Sequence, residues 1–458
     1  MSERFEIVEK ALLKMLEEKK YATLRDLLVI MNPADIAALF SSLEEDRLPL
    51  LFRLLPKELA AETFVEMEPE EQELLIRSFS DNELKEIVDE LYVDDAADLV
   101  EEMPANVVQR ILRQADPEMR KSINQILRYP ENSAGSIMTT EYVSLRPNMT
   151  VEESILRIRR QGVDKETIYT CYVTKDRTLI GLVTVKDLLL AEDDEMKISD
   201  LMITNLISVT THTDQEEVAG MFSKYNFLAM PVVDNENRMV GIITVDDAID
   251  VMEEEATEDI ELMGGMLPSE NTYLRSSVWE LFKNRIPWLL FLMLSATFTG
   301  MIINSFESSL AAQVALIAFI PMLMGTGGNS GSQSSVTIIR ALSLGEVEFR
   351  DLPRVVWKEI RTAVLCGLAL AIVCFGKIWL VDKLLLANDG ITLMVDAVIC
   401  LALFVTVVVA KTVGAVLPMV AKLLKLDPAV MASPFITSIV DVLSLLVYFL
   451  FATAMLPM

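Results

Sequence analysis

Histidine is almost missing from this chain: its 458 residues include one, His212, together with only four cysteines. A zinc or copper centre built from imidazole and thiolate is therefore not expected, and any metal must be held by oxygen. Cys366, Cys374 and Cys400 fall inside hydrophobic runs, and Cys171 is left alone, which reads as a reducing cytosol rather than a disulfide scaffold. No nucleophile–base pair is visible, so an enzyme is not expected. Bases are also scarce, with 40 Lys and Arg against 68 Asp and Glu and a formal charge of −28, a balance that repels nucleic acid and attracts cations. The opening MSERFEIVEKALLKMLEEKK has no apolar core followed by a small-residue cleavage site, so no signal peptide is expected and the N-terminus should stay inside.

A hydrophobic content of 52% coexists with that charge because the two properties occupy different parts of the chain. Before Leu281 there are 58 acids and 28 bases; from Leu281 onward there are 10 and 12. The pattern describes an acidic soluble module joined to a membrane domain.

Within residues 1–130, Pro33, Pro56, Ser80 and Pro104 each open an apolar run at helical spacing, at intervals of 23, 24 and 24 residues. This predicts a small α-solenoid of helical pairs. Asp94, Asp95 and Asp98 read first as a solvated helix face, with a metal-contact role as the alternative.

Residues 131–249 contain two copies of one α/β unit, 131–200 and 201–249. IMTTEYVSLRPNMTVEESI answers LMITNLISVTTHTDQEEVA, and IGLVTVKDLL answers VGIITVDDAI, with Met138 and Met202 64 apart and Gly181 and Gly241 60 apart. The repeat resembles a pair of cystathionine-β-synthase-type (CBS) domains. That resemblance implies a regulatory tandem and an adenine nucleotide site at Asp187 or Asp247. The same Asp also serves as a helix N-cap, so both readings stand.

A connecting segment, 250–280, follows. Nine acids and no base lie between Asp246 and Glu261. Ile249, Met252, Ala256, Ile260 and Met263 form a predicted apolar face, and Asp247, Asp250, Glu254, Glu258 and Glu261 share a neighbouring one. Like charges at these spacings oppose the helix, and a divalent cation would compensate them.

Residues 281–458 hold five apolar stretches, near 286–305, 312–337, 360–381, 391–421 and 429–457, each meeting the roughly 20-residue requirement of a span. Acidic Glu307 in the loop Phe306–Leu310, against Arg340, Arg350, Arg354, Lys358 and Arg361 around the second connection, places the soluble module inside and the C-terminus outside. Asp441 lies near the middle of the fifth stretch with no Lys or Arg in the last thirty residues. A charge there is costly and marks a functional site. The second stretch holds PMLMGTGGNSGSQSS, which suits either a cavity lining or close helix packing. Pro321 and Pro434 are expected to free carbonyls a turn upstream. The spans are read as lacking a central Lys or Arg, which disfavours an anion channel.

The order of helical repeat, CBS pair, acidic helix and five spans, with PMLMGTGGNSGSQS and DPAVMASPFITSIVDV in the second and fifth spans, closely resembles the bacterial MgtE magnesium channels. The expected fold is thus a cytoplasmic α-helical solenoid, α/β tandem CBS domains, an acidic connecting helix and an all-α membrane domain of five transmembrane helices. The resemblance implies a homodimer in the bacterial plasma membrane that takes up Mg2+ through a pore set by Asp441, with Thr437, Gly325, Gly328 and Asn329 near it. It further implies closure by cytoplasmic Mg2+ at Asp95, Asp214, Glu216, Asp247, Asp250, Glu255, Glu258 and Asp259, and ATP at the CBS domains. Asn226 and Ser433 depart from the family's pattern at one regulatory and one pore position. A secondary carrier exchanging Mg2+ or Co2+ for Na+ or H+, and a membrane metal sensor without conduction, are the alternatives.

Overall fold

The computed structural model describes residues 3–269, 273–274, 276–307, 313–385 and 392–456, with no account of the Ser433 side chain. The expectation for the loop Phe306–Leu310 therefore falls partly outside the described residues, as does that for the Ser433 side chain. The chain divides into two units, Met1–Met252 and Glu253–Met458.

The first unit begins with ten helices, from α1 (Glu3–Glu17) to α10 (Pro117–Ile126). The four predicted starts open α3 (Pro33–Ser41), α5 (Lys57–Val65), α7 (Asp81–Val88) and α9 (Ala105–Gln114). Pro33 occupies a first turn, where its missing N–H costs nothing, while Pro56, Ser80 and Pro104 are the residues just before their helices. Ser80 and Glu83 cap one another reciprocally, and Arg53 reaches Glu83 at 2.7 Å across one repeat. The core is shared between repeats, with the Phe52 ring 6.2 Å from Phe64 and 5.4 Å from Phe79.

Two three-stranded sheets follow. In the first, β1 (Tyr142–Leu145) runs parallel to β2 (Thr167–Lys175), which pairs antiparallel with β3 (Thr178–Thr184). The second repeats this order with β4 (Val209–Thr210), β5 (Ala229–Val233) and β6 (Met239–Thr244). The duplicated Met–Gly spacing has a packing cause. A Cβ on Gly181 would lie 2.6 Å from Met202 Sδ, and one on Gly241 would lie 2.8 Å from Met138 Sδ. Each copy thus seats its methionine on the other copy's glycine.

Helix α11 (Val151–Gln161), α12 (Val185–Leu189), α13 (Ile198–Leu201) and α14 (Gln215–Tyr225) complete the tandem, and α15 (Val245–Met263) leaves β6 directly. The expected start of the connecting segment at residue 250 therefore falls inside a continuous helix. Its predicted apolar face needs correction. Ile249, Ala256 and Ile260 are exposed, and the buried apolar residues are Ala248, Val251 and Leu262. The two ends of α15 pack into different units, so one periodicity does not describe the whole helix.

Among the described residues the second unit contains five helices long and apolar enough to cross a membrane: α16 (Val278–Ser305), α17 (Ile320–Ser343), α18 (Leu352–Lys377), α19 (Leu393–Leu423) and α20 (Ser433–Met455). Side-chain contacts give their directions. Ser334 of α17 meets Glu359 and Met322 meets Cys374, so α17 and α18 run opposite; Gln333 meets Lys411 and Leu342 meets Lys422, so α17 and α19 run together. Pro434 sits in the first turn of α20, with extended Ala432 just upstream, whereas Pro321 sits in the first turn of α17 directly after the 3-10 turn Val314–Phe319. The prolines inside helices are Pro287 and Pro418.

Part of the glycine-rich stretch serves packing. A Cβ on Gly414 would stand 2.3 Å from the Gly331 carbonyl oxygen, so α17 and α19 touch backbone to backbone. Gly414→Val should therefore destabilise the membrane domain by about 1–3 kcal/mol or more. The check is the thermal midpoint of monodisperse detergent-solubilised protein; an unchanged midpoint would remove the packing role.

Candidate functional site

The acids of the first unit converge around the start of α15. Asp247 Oδ2 accepts from the Thr244 amide at 3.1 Å and from its hydroxyl at 2.6 Å, fixing the carboxylate at the helix start. Asp187 repeats this with Thr184, at 3.1 and 2.6 Å. In α12 the cap is Thr184, and Asp187 is the third helical residue of a capping box, which corrects its assignment as the N-cap. A groove of about 480 Å³ opens along Tyr169, Thr170, Thr184, Val185 and Lys186, adjoining Asp187 in the chain.

Helix α8 (Val93–Glu102) turns acids toward Asp247. Asp94 is only 6% exposed, so the expected solvated face fails there; Asp98 keeps part of its surface in solvent, yet desolvation and then the charge of Asp247 push it up to about 8. Burial first, then the charge of Asp247, holds Asp94 well above the usual carboxylate range and pushes Asp95 up to about 7. Glu166, a residue the sequence reading passed over, is pushed up to about 8 by burial and by Asp247 and Asp95. Its Oε2 is buried with no hydrogen-bond partner, an acceptor left over in an acidic site. Asp247 itself is raised by burial, against the lowering effect of its Thr244 hydrogen bonds. Burial and Asp250 together raise Glu66.

Asp214 and Glu216 lie on the surface at the start of α14, where Asp214 caps by accepting from the Glu216 amide at 3.0 Å. Asn226 ends that helix in the left-handed conformation at φ 55°, which asparagine adopts more readily than most residues.

A second acidic group belongs to the other unit. Burial, then Asp427, Glu255 and Glu258, push Asp259 up to about 6, and burial followed by Glu255 and Asp427 raises Glu258. Asp427 caps the short turn Pro428–Met431, accepting from the Ala429 amide at 2.7 Å. Beside it Leu262 packs with Ile339, Ala429 and Ala432, and a Cβ on Gly265 would come within 3.0 Å of Pro434. The lower end of α15 therefore rests on the adjoining ends of α17 and α20. No three His, Cys, Asp or Glu among the described residues form a finished ligand set, so these clusters offer charge and oxygen without a closed cage.

Along the membrane helices, α17 and α20 pack antiparallel, with Gly331 against Ile436 and Gly328 against Thr437. One turn further on, Asp441 comes level with Gly325. Asp441 is half-buried and makes no hydrogen bond or ion pair among the described residues. Gly325, Asn329 and Gln333, spaced four apart, form an exposed stripe on α17, with nothing within 4 Å of a Cβ on Gly325. Gly328 instead is buried, and the Thr437 hydroxyl donates to the Pro434 carbonyl at 2.9 Å. The reading of spans without a central base is corrected by Lys411, 5% exposed within α19. Asp396 is buried in the same helix, and Glu359 on α18 accepts from Ser334 at 2.6 Å.

Among the described residues, a CBS tandem, a carboxylate-lined helix leading out of it and five apolar helices with an acid that has no hydrogen bond or ion pair define a multi-span membrane protein of the cation-handling, CBS-bearing class. Residues 320–451 match the family described as divalent cation transporter, 31–132 the MgtE intracellular N domain, and 134–194 and 198–254 the CBS domain. The magnesium transporter MgtE of Thermus thermophilus is 38% identical over 444 residues, 96% of each chain, and that of Bacillus subtilis is 32% identical over 441 residues, 96% of this chain and 95% of the relative. The cytosolic domain of the Mg2+ channel MgtE, solved in complex with ATP, is 39% identical and covers 53% of this chain and 99% of its own, with a TM-score of 0.51. This chain belongs to the MgtE family of magnesium transporters.

Proposed function

We propose that the protein is a Mg2+-selective channel, a homodimer in the plasma membrane with its N-terminus cytoplasmic, that admits Mg2+ and is closed by cytoplasmic Mg2+. The reading is carried by Asp441, a carboxylate without a hydrogen bond or ion pair among the described residues, beside the open stripe Gly325–Asn329–Gln333. Mg2+ sheds water reluctantly, so Asp441 from each protomer holds the ion through its hydration shell, with polar groups near Thr437 and Asn329 completing the site. The exposed Ile249, Ala256 and Ile260 on α15 support a second copy covering that face. At 2.3 kcal/mol per charge, a divalent ion gains about 4.6 kcal/mol per 100 mV moving inward, so no ATP need be consumed.

Regulation rests on the acidic clusters. Asp95, Asp247 and Asp250, with Glu166 beside them, present a group of carboxylate oxygens, a donor type suited to a hard, partly hydrated cation. Glu255, Glu258 and Asp259 do the same next to Asp427, with Asp214 and Glu216 as surface contributors. Mg2+ bound at these places holds the end of α15 against α17 and α20; its loss leaves like charges in contact and releases the helix. ATP at the groove beside Asp187 is a further expectation carried from the family. Uptake by liposomes containing only this protein tests the proposal: Mg2+ should enter when internal Mg2+ is low. A requirement for a Na+ or H+ gradient would favour the carrier, and absent uptake the metal sensor.

The raised carboxylates give a pH dependence. Unfolded Asp and Glu titrate near 3.9 and 4.3, whereas Asp95 and Glu166 titrate near 7 and 8 in the fold, so the folded state binds more protons between those limits. Stability is fully present below pH 4 and is lost as pH rises toward 8. Without Mg2+, the thermal midpoint of the full chain in detergent should fall between pH 5.5 and 8.5. Added Mg2+ should restore it at pH 8.5 and do little at pH 5.5; equal stabilisation at both values would contradict the cluster's role.

A further inference from the structure

Lys411 is a cation inside the membrane domain without an acidic partner among the described residues. It lies 12 residues before Leu423, about 18 Å from that end of α19, and is 5% exposed. Intramembrane lysines ordinarily pair with a carboxylate. Among the described residues Lys411 forms no ion pair, and its Nζ donates one long hydrogen bond, 3.5 Å, to Oε1 of Gln333. Glu359, an acid on the neighbouring helix, accepts from Ser334 instead. The stem cannot swing far, because the backbone contact of Gly414 with Gly331 closes the helices one turn away. Gln333 in turn is exposed on the stripe that carries Asn329 and Gly325.

We infer that Lys411 is a positioning residue for ion passage: through Gln333 it fixes an amide on the conducting stripe and sets a positive charge behind it, weakening Mg2+ binding enough for the ion to leave. The inference rests on the pore reading above. Conduction needs sites that bind but also release, and an uncancelled charge in a low-dielectric wall is felt by a dication at twice the strength felt by a monovalent ion. Asp441 attracts; Lys411 limits how tightly.

The test measures Mg2+ uptake by the full chain in phosphatidylethanolamine–phosphatidylglycerol vesicles, separating the half-saturating Mg2+ concentration from the maximal rate. Lys411→Met, which keeps the stem and removes the charge, should lower half-saturation about tenfold and lower the maximal rate as release slows. Lys411→Arg should restore both. Gln333→Leu should shift both in the same direction, and the double variant should go no further than Lys411→Met. Unchanged half-saturation in monodisperse Lys411→Met, or Lys411→Arg as impaired as the methionine variant, overturns the inference. Asp441→Asn separates the two claims: if it still conducts, the pore reading fails; if it is silent while Lys411→Met behaves as the parent, only the role of Lys411 fails.

Discussion

Asp441→Ala abolishes selective Mg2+ flux. A divalent ion held through its water about 5 Å from a carboxylate gains about 6 kcal/mol at an effective dielectric of 20. If only about 2 kcal/mol of that survives desolvation, its loss still costs about thirtyfold. The proposed symmetric pair loses both carboxylates at once, so the expected drop exceeds thirtyfold. Asp441→Asn should be nearly as severe, because Asn keeps the shape and an acceptor but not the charge. Undiminished, selective flux in either variant would place the ion path elsewhere. Because Asp441 makes no hydrogen bond or ion pair among the described residues, its replacement breaks none; the variant should remain folded, and thermal unfolding checks this.

Neutralising the sensor should have the opposite sign. Asp247→Asn, Asp250→Asn, Glu255→Gln and Glu258→Gln together remove four of the nine acids between Asp246 and Glu261. The variant should conduct at internal Mg2+ levels that close the parent, with closure shifted by about tenfold or more in Mg2+, the equivalent of about 1.4 kcal/mol of lost differential binding. Single replacements should shift it less, because the acids act as shared clusters. Asp247 also anchors the start of α15 through Thr244, so Asp247→Asn, which can still accept those hydrogen bonds, separates charge from capping. Normal closure in the fourfold variant would count against the acidic helix as sensor.

Much of this organisation is legible in sequence because it is local. Helix starts at Pro33 and Ser80 are dictated by missing or cappable N–H groups, and spans by the length of apolar runs. The Met138–Gly241 and Met202–Gly181 contacts were visible as spacing, though not as contacts between copies. Burial decided the rest. Asp94 and Asp95 differ by one position on α8 and share composition, yet tertiary packing turns Asp94 inward. Glu166 and Asp427 sit outside any acidic run and join the clusters only through folding. The apolar residues at helical spacing on α15 do not make one buried face, since the helix changes surroundings midway. Lys411 was hidden in a basic count that was balanced overall; only its burial beside Gln333 distinguishes it from Lys422, which reaches the Leu342 carbonyl at the helix end. The pore residues of the resemblance also divide in the structure, with Gly325 and Asn329 open and Gly328 packed against Thr437.

Current through the purified full chain in a planar bilayer, with Mg2+ titrated on the side facing the soluble module, tests the account most directly. The predicted result is Mg2+ current that falls as Mg2+ rises on that side, and that is lost in Asp441→Ala at every concentration. Current independent of Mg2+ on that side, or unaffected by Asp441→Ala, would contradict it.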